Sequence, residues 1–127
     1  MKQYSNTGTF ETPTINFNLE KGELEIEGRS IPENPIEFYN PFFEALDKYQ
    51  QAPQAETKVD IKLDYFNSSS SKCILDVFKK LEGINQKGSK VTVYWHYEEE
   101  DENMLTVGED FKGIIQLPFV MVKISED

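Results

Sequence analysis

The chain has 127 residues, with 23 Asp and Glu against 13 Lys and Arg and a formal charge of -10. That length leaves room for one ordinary domain. The acidic balance, with no cluster of Lys and Arg, excludes a surface built for phosphate backbones, so nucleic acid is not an expected partner. The single cysteine, Cys73, rules out an internal disulfide and a Cys-rich zinc site, and 38% hydrophobic with 13% aromatic residues describes a folding chain with a charged exterior.

The opening stretch MKQYSNTGTF lacks the apolar core of a signal peptide, and no apolar run reaches membrane-spanning length. The expectation is a cytoplasmic protein with no membrane insertion, one domain over 1–127, and a flexible lead at 1–9. In residues 14–29, TINFNLEKGELEIEGR, Ile15, Phe17 and Leu19 share one face and Leu24 and Ile26 share one face, with Lys21-Gly22 between as turn chemistry. This is a β-hairpin.

In IPENPIEFYNPFFEALDKYQQ, Asn34-Pro35 and Asn40-Pro41 each place a capping side chain before a proline. The pattern predicts a short helical turn and then a helix over 41–51, because Pro41 fits poorly inside one continuous helix. Tyr39, Phe42 and Phe43 are open to two readings, core or interface.

KVDIKLDYF (58–66) alternates with Val59, Ile61, Leu63 and Tyr65 inward, and KVTVYWHY (90–97) does the same with Val91, Val93, Trp95 and Tyr97. Between these strands, Ile74, Val77, Phe78 and Leu81 recur at helical spacing over 70–86, and Gly88 follows as a stop. Strand, helix and strand of these lengths form a right-handed βαβ unit with parallel strands. NMLTVGEDFKGII is a further helix with Leu105 and Phe111 toward the core, and FVMVKI (119–124) is the last strand. The order β-β-α-β-α-β-α-β implies an α/β fold with a mixed sheet of about five strands.

The chemistry concentrates at LDYFNSSSSK, where a parallel strand ends and a helix begins, the rim on which α/β folds gather their sites. Asn67 or one serine would cap the helix, and capping needs only one side chain. The surplus leaves Ser68, Ser69, Ser70 and Ser71 as candidate phosphoacceptors at a helix end that favours an anion. Asp64, Asn67, Ser69 and Lys72, with His96, Tyr97 and Glu98 from the neighbouring strand end, form the expected partner-facing rim. A phosphate would add about -1.5 to -2 charges to it.

A hydrolytic reading would join Ser68, His96 and Asp64, yet the G-x-S-x-G elbow and a Gly-rich oxyanion loop are missing. His96, the only histidine, reads first as a strand residue packed or hydrogen-bonded between Trp95 and Tyr97. The run EEEDE (98–102) lacks the ligand alternation of a calcium loop and reads as a solvated loop into a helix. No metal and no cofactor are expected. Cys73 reads as a small buried residue, and the serines lack the frame of a P-loop.

Three stretches in order, PEN (32–34), LDYFNSSSSK (63–72) and WHYEEEDE (95–102), resemble the SiaC family of regulatory phosphoproteins. The resemblance covers nearly the whole chain and implies a STAS-like fold, similar to the anti-sigma-factor antagonists. It implies a non-enzymatic switch: a Ser/Thr protein kinase adds a phosphate, a PP2C-type phosphatase removes it, and the unmodified form docks on a diguanylate cyclase and promotes cyclic-di-GMP synthesis. A different signalling partner, as in anti-sigma-factor-antagonist switching, is the alternative. The family's acceptor threonine follows an asparagine, which places the acceptor here at Ser68, ahead of Ser69, Ser70 and Ser71.

Overall fold

The alternation in the first third of the chain folds as a three-stranded antiparallel ribbon: β1 (Gln3–Asn6), β2 (Thr14–Asn18) and β3 (Glu23–Ser30). Three βαβ steps follow, through α1 (Pro35–Gln51), β4 (Glu56–Phe66), α2 (Ser68–Gln86), β5 (Lys90–Glu98), α3 (Glu102–Ile114) and β6 (Phe119–Ile124). This computed structural model describes residues 2–125. Met1, within the lead expected to be flexible, and Glu126 and Asp127, at the end of the expected domain, lie outside the described residues.

All six strands form one sheet in the order β1-β2-β3-β4-β5-β6, with β3 to β6 parallel. Each crossover moves to the adjacent strand, and right-handed connections therefore stack all three helices on one face. The core lies between that face and the helices: Ile15, Phe17, Val59, Ile61, Val93 and Trp95 from the sheet meet Phe42, Leu46, Phe78, Leu81 and Phe111. Among the described residues the other face has no helix, and it carries polar rows such as Asn16, Glu25, Asp60 and Tyr94 in register. Among the described residues no helix is long and apolar enough to cross a membrane.

The sheet has one strand more than the alternation predicts, and it comes from the lead read as flexible. The segment QYSN has one apolar side chain, so alternation cannot reveal it. It is held by pairing with β2, and Tyr4 stacks on Phe42 with ring centroids 5.8 Å apart.

α1 is one helix, not a turn followed by a helix at 41. Pro41 sits on its exposed side, where the Glu37 carbonyl that loses its N–H partner can turn to water. Tyr39, Phe42, Leu46 and Tyr49 hold the opposite side in the core, and Phe43 is half-buried.

The inward reading of Tyr65 also fails. Gly28 pairs with Leu63 and Arg29 with Tyr65, leaving Asp64 as the extra residue of a β-bulge. Gly28 has φ 113°, a conformation that a side chain would strain. Alternation therefore reverses after the bulge: Tyr65 is exposed, and Phe66 turns inward toward Trp95 and Phe111, with ring centroids 6.4 and 6.5 Å away.

In α3, Phe111 is buried as expected, but Leu105 is only half-buried, and the core face is Met104, Gly108 and Phe111. A Cβ on Gly108 would come within 2.5 Å of the Trp95 ring and 2.7 Å of Met121 Cε. Glycine, a weak helix former, is what lets α3 lie directly on Trp95, whose Nε1 donates to the Met104 carbonyl at 3.0 Å.

Candidate functional site

The four serines divide by helical geometry. Asn67 is the N-cap of α2, and its Oδ1 accepts from the Ser70 amide at 3.0 Å. Its own amide donates to the Ser30 carbonyl at 3.3 Å, which ties the helix start to the end of β3. Ser68 and Ser69, the first two helical residues, are exposed, Ser71 is half-buried, and Ser70 is fully buried.

The Ser70 hydroxyl accepts from Ser30 Oγ at 2.9 Å, and Ser30 Oγ lies 2.7 Å from the Tyr39 hydroxyl. Because the Ser30 proton goes to Ser70, Tyr39 donates to Ser30, and three buried hydroxyls join α1, β3 and α2 in one chain. Burial pushes the Tyr39 phenol up to about 12, against a smaller opposing effect of its bond with Ser30, so it remains a donor through the neutral range. Ser70 is thus committed to the interior, while Ser68 stands at a helix start whose unpaired amides and dipole favour a negative charge.

Beside Ser68 runs an open groove of about 600 Å³ between the amino ends of α1 and α2. Pro35, Ile36 and Phe43 supply its apolar side, and Ser68, Ser69 and Lys72 its polar side. Ile36 is 66% exposed and, with Pro35 and Phe43 beside it, makes a contiguous apolar patch on this groove. Lys72 is four residues from Ser68, one turn along the same face of α2. Cys73 reaches the groove wall but is buried, and burial first, then the charge of Asp76, pushes its thiol up despite Lys72, which disfavours the reactive thiolate.

The rim residues expected to act together fall into two groups. Ser69 and Lys72 line the groove with Ser68, and Asn67 caps the helix. Asp64, His96, Tyr97 and Glu98 line a separate cleft at the end of the sheet, with Glu27, Asp101 and Ile124. The hydrolytic constellation is not assembled. His96 follows buried Trp95 on β5 and so lies on the helix-free face, where its Nε2 is 2.8 Å from Asp60 Oδ1. The acidic run serves local structure, since Asp101 caps α3 by accepting from the Met104 amide at 3.0 Å.

Sequence reasoning missed Ser30 and Tyr39, because nothing in a linear pattern joins hydroxyls 40 residues apart. It also missed Ile36 as a groove wall and left Phe43, the other wall, open between core and interface. The signal available was the capped Asn34-Pro35 start, which fixes where α1 begins: Asn34 Oδ1 accepts from the Glu37 amide at 3.2 Å.

Taken together, the fold and site define a class: a two-layer α/β domain that offers serines at a helix start beside an uncovered apolar groove. The family model for SiaC family regulatory phosphoproteins matches residues 6–124, and the chain belongs to that family. It is similar to the structure of SiaC of Pseudomonas aeruginosa, with TM-score 0.87, 28% identity and coverage of 98% of this chain and 100% of that one. A second similar structure is the complex of the diguanylate cyclase SiaD with its activator SiaC from the same organism, with TM-score 0.89, 29% identity and coverage of 95% and 99%. An uncharacterised protein of Pseudomonas aeruginosa strain UCBPP-PA14 is 31% identical over 114 residues, 90% of either chain.

Proposed function

We propose that this chain is a non-enzymatic, cytoplasmic docking protein controlled by reversible phosphorylation of Ser68, and that its unmodified form binds and activates a diguanylate cyclase. A Ser/Thr protein kinase adds the phosphate and a PP2C-type phosphatase removes it. The observation that carries the reading is the division of the serines: Asn67 caps the helix and Ser70 is locked in the core, which leaves Ser68 and Ser69 exposed beside the groove, and the family resemblance, in which the acceptor follows an asparagine, chooses Ser68. The similarity to an activator solved with its cyclase supports the choice of partner.

The mechanism follows from charge and desolvation. Docking covers the apolar wall of Pro35, Ile36 and Phe43, and with it the Ser68 hydroxyl. A phosphate of about -1.5 to -2 charges there is well placed for the helix amides and Lys72. It must nonetheless lose water when a partner closes the groove, and Glu33 and Asp76 on the same groove repel it.

The test is peptide mass spectrometry of the cytoplasmic protein, followed by titration of a purified diguanylate cyclase with unmodified, phosphorylated and Ser68→Ala protein. The expected result is phosphate on Ser68, full binding by Ser68→Ala and at least about tenfold weaker binding by the phosphorylated form, a difference near 1.4 kcal/mol. Equal binding by all three forms would remove the mechanism.

A further inference from the structure

The geometry points to a second interface, independent of Ser68: β6 is a pairing edge for another copy of this chain, joining two six-stranded sheets antiparallel across a two-fold axis. β6 is the last strand of the sheet. The carbonyls of Pro118 and Ile124 accept from the amides of Val93 and Glu99 at 2.9 and 3.0 Å, so the backbone groups of even-numbered residues face β5. By alternation, the N–H and C=O groups of Phe119, Met121 and Lys123 point outward, a template for another strand.

Edge strands in monomers are ordinarily blunted by charged side chains, proline, bulges or shortness. β6 has six residues and one such device, Lys123 near its end; Pro118 stands before it and its ladder with β5 runs without a shift. The opposite edge, β1, is four polar-rich residues, QYSN. Val120 and Ile124 are exposed on the helix-free face at 42% and 38%.

Self-complementarity selects a second copy as the occupant. Two chains of -10 repel each other over much of their surface. Along β6 itself the one charged side chain is Lys123, 3.8 Å from the Glu99 carboxylate, so the strand adds no acid of its own to a symmetric contact. With the two-fold axis at Met121, Phe119 of one copy opposes Lys123 of the other, and all three outward residues exchange both hydrogen bonds. Val120 then opposes Val122 on the open face, so the apolar stripe covers itself. A symmetric contact of this kind closes at two copies and buries the edge that would otherwise seed aggregation.

The experiment is sedimentation velocity on the full chain with amide exchange by NMR, in dilute solution and at about a hundredfold higher concentration, where mass action favours the dimer. A doubled mass is expected, with slowed exchange at Phe119, Met121 and Lys123 and no change at Val120 and Val122. Lys123→Pro removes an outward N–H without touching the ladder to β5. Val120→Lys keeps every backbone group and places like charges across the axis. Both should lose the dimer, and the second keeps the test valid if proline disturbs the strand. A monomer at every concentration would overturn the inference, as would a dimer that survives Val120→Lys or protects other amides.

Discussion

Replacing Ser70 with alanine tests the division of the serines directly. The Tyr39–Ser30–Ser70 chain has one direction of donation: Tyr39 gives its proton to Ser30, and Ser30 gives its proton to Ser70. Ser70→Ala removes the terminal acceptor. If Ser30 then turns its proton to Tyr39, the Tyr39 proton is orphaned instead, so the bond between Ser30 and Ser70 is lost without replacement in either arrangement. A hydrogen bond contributes about 0.5–1.5 kcal/mol, and all three residues are fully buried, which places this case at about 1 kcal/mol. For a domain of this size that is a fall of about 4 °C in Tm. Ser68→Ala, at an exposed position with no core role, should change stability by less than about 0.5 kcal/mol. Calorimetry of both variants beside phosphorylation by the cognate kinase gives crossed outcomes: Ser70→Ala melts early and is still phosphorylated, whereas Ser68→Ala melts normally and is not. A Ser70→Ala protein that melts within about 1 °C of the parent would refute the hydroxyl accounting, and equal losses from both variants would refute the division itself.

The Tyr39 phenol, pushed up to about 12 from an ordinary 10 by burial, ties stability to alkaline pH. Below pH 10 its contribution is whole; between 10 and 12 the unfolded chain ionises while the folded one holds its proton, and about 3 kcal/mol is lost as pH rises. Denaturant titrations should show a shallower alkaline fall for Tyr39→Phe, and an unchanged fall would count against the burial argument. Gly108→Ala should destabilise despite its better helix propensity: the added methyl strikes a fully buried Trp95 held by its bond to Met104, costing about 1–3 kcal/mol against about 1 kcal/mol gained. Fluorescence of the sole tryptophan would shift with it.

Local pattern determined much of this protein. Period-two alternation located β2 to β5, helical spacing located α2, and the Asn67 cap with its surplus of hydroxyls marked the site. These are legible because hydrophobic period and capping act within a few residues of the chain. The failures share the opposite property. QYSN became a strand because a neighbour with unpaired backbone was there to receive it. Pro41 was tolerated because its side of α1 faces water. Tyr65 turned outward because a bulge, set by pairing with Gly28, reversed the alternation at Asp64. Gly108, a poor helix former by local propensity, is where α3 packs against the Trp95 ring with no room for a Cβ. The four serines combine both cases. The sequence by itself placed them at the start of a helix at the end of a parallel strand. Only the tertiary structure assigned Ser70 to the core and left Ser68 outside, because that choice depends on Ser30 and Tyr39, which chain pairing and helix packing bring within hydrogen-bond reach.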